Sequence, residues 1–412
     1  MDEKQDKDLS KEVLKMKKIC FNSLILILLL ILTSCGVPSV EKPDSIDNTS
    51  PNKTLSKAEK LIKSMTLEEK IGQLFIIRPD SLDFNLTPEQ ISNANAYGVT
   101  ELNNQMIESL DQYHIGGVVI FQKNILSPTQ LTDFINEMKE QSKTSLFVGI
   151  DEEGGPVSRI ANLKEFDVIQ YESMEAIGLT EDSKKAQNVG LTIGSYLKQY
   201  GFNLDFAPVA DVNTNPENIV IGNRSFGSDP ALVAKMVSAE IDGLHEAGVM
   251  SCVKHFPGQG DTKGDTHKGF VSTEKTWEEL KQCELIPFIN ASQKTDMIMI
   301  SHITAPNITS DGLPSSLSNE MIEGKLRKEL DYDGVVITDS MAMGAITQQY
   351  TSSDSAIKAI LGGADIILMP KNFVEAYDGI YDAVKDGTIS EKRIDESVLR
   401  ILSLKEKYDL LK

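Results

Sequence analysis

The chain is short of aromatic, sulfur-bearing and basic side chains. Only 6% of its 412 residues are aromatic, with a single tryptophan, and four are cysteine. So few thiols over this length make no disulfide framework. Lysine and arginine number 41 against 61 aspartate and glutamate, a formal net charge of −20. That balance argues against a nucleic-acid partner, because phosphate binding depends on concentrated basic residues, and acidic partners are repelled. No apolar run reaches the roughly 20 residues that span a bilayer. With 40% apolar and 25% charged residues, the chain is neither disordered nor collagenous, and it is long enough for one large or two ordinary domains.

The longest apolar run, "FNSLILILLLILTSC", follows "KMKK", the basic and apolar halves of a secretory signal. Residues 1–15 are acidic and make a poor signal start, which points to Met16 as the true first residue. Leu32-Thr33-Ser34-Cys35 resembles a bacterial lipobox, whose cleavage exposes a cysteine for lipidation. Residues 1–35 are thus expected to be a signal region ending at Cys35. Cys20 then leaves with the signal, and only Cys252 and Cys283 remain in the folded part. Residues 36–54, rich in Pro, Ser, Asn and Asp, read as a flexible tether. These features predict an exported lipoprotein on the outer face of the cell membrane.

From residue 55 onward, helical patterns such as "KAEKLIKSMTLEEKIGQL" alternate with eight short apolar runs: Leu74–Ile77, Gly117–Phe121, Leu146–Ile150, Leu204–Ala207, Met250–Val253, Met297–Ile300, Val335–Thr338 and Ile366–Met369. Continuous rather than alternating apolarity marks strands buried on both faces. Eight parallel strands interleaved with helices predict an α/β fold, a (β/α)8 TIM-type barrel over residues 55–412. Polar residues follow seven of the runs: Arg78, Gln122, Asp151, Asp211, Lys254-His255, Ser301-His302 and Asp339. Barrels of this kind carry their active site at the C-terminal ends of the strands, so these residues are expected to converge on one mouth.

Asp339, directly after the seventh run, occupies the place of a nucleophile or a metal ligand. Asp151 can accept from ligand hydroxyls, and the planar donors of Arg159 suit fixed oxygens. Arg224 in "IGNRSFG", Lys254 and His255 add donors; any one of them could equally bridge two loops. The stretch "KHFPGQGDTKGDTHKG" places Asp265 and His267 two residues apart in a glycine-rich loop. Histidine titrates near about 6.5 and serves as acid or base once a partner fixes its tautomer. Asp265 is such a partner, leaving the other ring nitrogen for a substrate.

Seven segments in order, "MTLEEKIGQLF", "IDEEGGPVSR", "NLDFAPVADVN", "IGNRSFG", "KHFPGQGDTKGDTHKG", "ITDSMAM" and "RILSLKEKYDLL", resemble the signatures of glycoside hydrolase family 3. Within it the chain is most similar to single-domain β-N-acetylhexosaminidases of the NagZ type. The resemblance implies that Asp339 is the catalytic nucleophile, His267 the general acid/base and Asp265 its dyad partner. It implies that Asp151, Arg159, Arg224, Lys254 and His255 hold an N-acetylglucosamine unit. The expected reaction is retaining hydrolysis of terminal N-acetylglucosamine from cell-wall fragments or chitooligosaccharides, by a monomer that needs no cofactor and no metal. Three departures bear on specificity: Gln259 replaces a second histidine, Pro156 replaces an arginine, and "HKGFV" replaces the usual segment after the dyad.

Other readings stand beside this one. A β-glucosidase, a β-xylosidase or an N-acetylglucosamine phosphorylase of the same family is the nearest. A sugar-binding lipoprotein without catalysis is another, and a metal site built from His255, Asp261, Asp265 and His267 a third.

Overall fold

The structure, a computed structural model, describes residues 55–93 and 95–411. The expected signal region, Cys35 and the tether lie outside the described residues. Among the described residues no helix is long and apolar enough to cross a membrane.

Eight parallel strands form one sheet: β1 (Phe75–Ile77), β2 (Gly117–Val119), β3 (Phe147–Ile150), β4 (Leu204–Asp205), β5 (Met250–Phe256), β6 (Met297–Ile300), β7 (Val335–Thr338) and β8 (Ile367–Leu368). Their order is β7-β6-β5-β4-β3-β2-β1-β8. A parallel bridge between Ile337 and Ile366 brings β7 back to the start of β8 and closes the barrel. All eight strands are buried along their length, which is why each appears in the sequence as an unbroken apolar run.

Every crossover carries a helix, as a parallel pair requires. The helices Asn104–Tyr113, Pro128–Gln141, Ser183–Gln199 and Pro230–Glu246 link β1 through β5. Their N-caps, Asn103, Ser127, Asp182 and Asp229, each accept a backbone N–H from the first turn. That satisfies one of the donors a helix start leaves free.

Two local differences from the sequence expectation have clear causes. The pattern over 57–74 is two helices, Lys57–Ser64 and Leu67–Gln73, rather than one. Thr66 and Glu69 form a capping box in which each side chain accepts from the other's backbone N–H, and an N-cap must be extended, so the first helix stops at Ser64. β5 runs two residues past Lys254, so Lys254 and His255 lie within the strand rather than after it. Its register against β6 shifts between Val253 and Phe256, and the peptide joining Lys254 to His255 is cis. Neighbours in a regular strand face opposite sides; here both side chains reach the same pocket.

At the far end of the barrel the last helix, Glu391–Lys407, reaches the residues that precede β1 and β2. Its Lys405 is fully buried, with Nζ donating to Gln73 Oε1 at 2.7 Å and to the Gly116 carbonyl at 2.9 Å. The ammonium lies 4.7 Å from the Phe147 ring centre. Among the described residues no carboxylate pairs with it, and burial pulls its pKa down to about 7.

Candidate active site

At the C-terminal ends of the strands lies a pocket of about 360 Å³. Its charged walls are Arg78, Asp151, Glu153, Arg159, Arg224, Lys254 and Asp339. Near-balanced charge of this kind suits a neutral ligand with many hydroxyls better than a strongly ionic one.

The loop after β3 shows how the sequence builds one wall. Glu152 and Ser158 pair as an antiparallel bridge, and the turn between them passes through Gly154 and Gly155 at φ +80° and +85°. Side chains with a Cβ avoid that conformation, which explains the paired glycines. Buried Glu152 then accepts the amides of Arg159, Ile160 and Ala161 at 2.6, 2.9 and 2.8 Å. The chain is folded back so that Arg159 Nη2 lies 3.1 Å from Asp151 Oδ2.

Behind Asp151 runs an ion network. Lys254 Nζ reaches Asp151 Oδ1 at 2.8 Å and Glu153 Oε1 at 2.6 Å. Arg224 grips both oxygens of Glu153, Nε at 2.8 Å and Nη2 at 2.7 Å. Burial works to raise both carboxyls, but the facing cations prevail. Lys254 and Arg159 hold Asp151 well below the usual carboxylate range, and Arg224 and Lys254 hold Glu153 at about 2. Both groups are therefore charged acceptors at neutral pH.

His255 is fixed in orientation and tautomer. Its Nε2 faces Arg224 Nη2 at 3.5 Å; because a guanidinium only donates, Nε2 accepts and Nδ1–H donates to Asp211 Oδ2 at 2.6 Å. Asp211 Oδ1 also accepts the Gln259 amide at 2.6 Å. Gln259 lines the pocket, and its side-chain nitrogen is buried without a partner.

Asp339 ends β7 and lies in the same pocket. Burial pushes its pKa up, yet the charge that His302 and His255 carry whenever they are protonated and the Ser340 amide, 2.7 Å from Oδ1, leave it lowered. His302 is buried and holds this turn: Nε2 meets the Ser340 carbonyl at 2.9 Å, so it carries the proton, and Nδ1 accepts from Ser316 Oγ at 2.7 Å. Burial lowers the His302 pKa, keeping it neutral.

The loop after β5 supplies the remaining part. Asp265 Oδ1 lies 2.8 Å from His267 Nδ1 and accepts the His267 amide at 2.9 Å. Burial pushes Asp265 up, but hydrogen bonds from His267 leave its pKa lowered. With Nδ1 engaged, Nε2 is the nitrogen available to the pocket that His267 lines. The loop rests on the segment after Asp339: Gly344 N donates to the His267 carbonyl at 3.1 Å, Ala345 N to that of Thr266 at 3.0 Å, and Gln348 Nε2 to that of Lys268 at 2.8 Å. A Cβ on Gly344 would come within 2.7 Å of the His267 oxygen, so glycine is what allows this contact.

Of the residues singled out from sequence, Asp339, His267, Asp151, Arg159, Arg224, Lys254 and His255 line one pocket, and Asp265 touches it through His267. The expectation that all seven strand ends converge there is too broad. Gln122, Asp211, Ser301 and His302 do not line it; Asp211 and His302 stand behind it as supports. Glu153 is the wall residue that sequence reasoning passed over, although it stands two positions from Asp151, the spacing that returns a side chain to the same face of an extended segment. The proposed metal quartet is pulled apart. His255 pairs with Asp211, and Asp261 bonds Thr214 and Lys275. Among the described residues no three His, Cys, Asp or Glu side chains gather to hold an ion. Pro156 is exposed and outside the pocket.

Fold and pocket together define a (β/α)8 barrel whose mouth is equipped for nucleophilic and acid–base chemistry on a hydroxyl-rich ligand. The family model of the glycosyl hydrolase family 3 N-terminal domain matches residues 66–404, and the chain belongs to that family. It is 32% identical over 335 residues to beta-hexosaminidase A of Pseudoalteromonas piscicida, covering 75% of this chain and 56% of that one. It is 33% identical over 306 residues to beta-hexosaminidase LpqI of Mycobacterium tuberculosis, covering 71% and 76%. The solved family 3 β-N-acetylglucosaminidase from Paenibacillus sp. str. FPU-7 superposes with a TM-score of 0.76 at 35% identity, over 84% of this chain and 63% of that one. The chain thus spans little more than half the length of the first of these relatives and under two thirds of the third.

Proposed function

We propose that the protein is an exo-acting, retaining β-N-acetylglucosaminidase that releases terminal N-acetylglucosamine from cell-wall fragments or chitooligosaccharides. One observation carries the reading: an ionised, half-buried Asp339 shares a pocket with an imidazole whose Nδ1 is held by Asp265. A retaining glycosidase needs a carboxylate to attack the anomeric carbon and a second group to protonate the departing oxygen, then deprotonate water. Asp339 takes the first role and forms a covalent glycosyl ester. His267 takes the second, with Asp265 as its positioning residue. Asp151 and the cations Arg159, Arg224 and Lys254, with His255, hold the hydroxyls and the acetamido group. The names of the relatives support the choice of sugar.

The reaction needs no cofactor, and the barrel acts as a monomer. Cys35 carries lipid, and the tether holds the barrel at the outer face of the cell membrane; the support for this is the sequence pattern over 16–54. A panel of nitrophenyl glycosides tests the activity: the N-acetylglucosaminide should be cleaved at least a hundredfold better than the glucoside or xyloside. Preference for either of those two sugars would overturn the assignment. Equal rates with and without added phosphate would separate hydrolysis from phosphorolysis.

A further inference from the structure

A second cavity, of about 490 Å³, lies against the loop that carries His267. It is large enough for a small ligand, since such sites run from about 300 to 1,000 Å³. Its walls come from the two stems of that loop, Asp261–Lys263 before the crest and Phe270–Lys275 after it. The chain passes from the first cavity at Gln259 to the second at Asp261, back to the first at Thr266 and His267, and to the second again at Phe270. The crest at 264–269 is therefore a partition between the two.

Both stems are braced. Asn215 and Asn218, on the loop after β4, donate to the Thr262 carbonyl at 3.2 Å. On the other side, Val271 and Thr273 exchange backbone hydrogen bonds with Thr304 at 2.9 Å. Phe270 stands on this frame with 64% of its surface exposed, while Val271 beside it is buried. Asp261, Lys263, Glu274 and Lys275 offer mixed charges to the same space.

Resting on the glycosidase reading, we infer that this second cavity binds the units of a neutral oligosaccharide that follow its first leaving-group sugar, with Phe270 as the face on which a sugar ring stacks. The group that protonates the glycosidic oxygen marks where the scissile bond lies. The unit being cleaved fills the first cavity and the first leaving-group unit sits at His267, so the units after it continue to the other side of the partition. Hydroxyls there meet carboxylates and ammonium groups, and the apolar face of a ring meets Phe270. Covering one apolar face of a sugar ring is a contact of modest size, worth up to roughly tenfold in binding.

The test is kcat/KM for the full chain and its Phe270→Ala and Phe270→Tyr variants on nitrophenyl N-acetylglucosaminide and on N-acetylglucosamine oligomers of two to five units. The wild type should gain about five- to tenfold between the dimer and the longer oligomers. Phe270→Ala should remove that gain, mostly through KM, and leave the nitrophenyl substrate within twofold; Phe270→Tyr should keep it. A wild type indifferent to length, or a Phe270→Ala variant with an unchanged length profile, overturns the inference and leaves the glycosidase reading intact. Failure of the wild type to cleave any N-acetylglucosaminide overturns both.

Discussion

Replacing Lys405 by methionine should abolish a rise of stability with pH that the wild type shows between neutral and alkaline conditions. The ammonium is fully buried and bonded only to neutral oxygens, and its pKa falls from 10.5 to about 7. Below pH 7 folded and unfolded chains both carry the proton, so Lys405 contributes no slope there. Between pH 7 and 10.5 the unfolded chain holds a proton that the folded one has released, and stability climbs with pH. At about 1.36 kcal/mol per unit, the gain from pH 6 to pH 10 is about 4 kcal/mol. Methionine has similar length and no charge, although it leaves the oxygens of Gln73 and Gly116 without a donor, an offset of about 1–3 kcal/mol that does not vary with pH. Urea unfolding of both proteins at unit intervals from pH 6 to 10 isolates the difference. Parallel stability curves for wild type and variant would refute the reasoning.

Three further outcomes are expected. His267→Ala should slow substrates with poor leaving groups by about 10²–10⁴-fold yet spare a dinitrophenyl glycoside in the first step, giving a burst, slow turnover and a β-glycosyl azide when azide is added; Asp265→Ala should give a weaker form of the same pattern, and uniform loss on all substrates would assign His267 a structural role. Glu153→Gln removes the carboxylate held at about 2 between Arg224 and Lys254, and should raise KM at least tenfold with a smaller change in kcat and a preserved fold by circular dichroism; an unchanged KM would show that the network does not orient the sugar contacts. Cys35→Ser should move the protein from membrane to soluble fractions and abolish labelling by a palmitate analogue, and persistence of both signals contradicts the lipid anchor.

How much of this was legible in the sequence depends on how local each cause is. The strands announce themselves because a barrel strand is apolar on both faces, and runs such as "VVIT" and "MIMI" coincide with β7 and β6 residue for residue. Asp265 and His267 are legible for the same reason: their hydrogen bond spans two residues. Glu153 is harder, since its partners Arg224 and Lys254 are 71 and 101 positions away and only the closed barrel brings them together. Asp211 and His302 look like wall residues by position, but their directions depend on loops that the pattern does not encode. Lys405 is hardest of all, because a lysine in "RILSLKEKYDLL" reads as a solvated face, and its burial against Gln73 and Gly116, 332 and 289 positions away, appears only in the folded chain.

The most direct test of the account is to look for the sugar on Asp339. The His267→Ala variant, mixed with dinitrophenyl N-acetylglucosaminide and quenched during the burst, should gain the mass of one N-acetylglucosamine residue, and after peptic digestion that mass should lie on the peptide containing Asp339. Asp339→Asn in the same background should carry no adduct and show no burst. An adduct on another residue, or turnover in Asp339→Asn within tenfold of the wild type, would contradict the account.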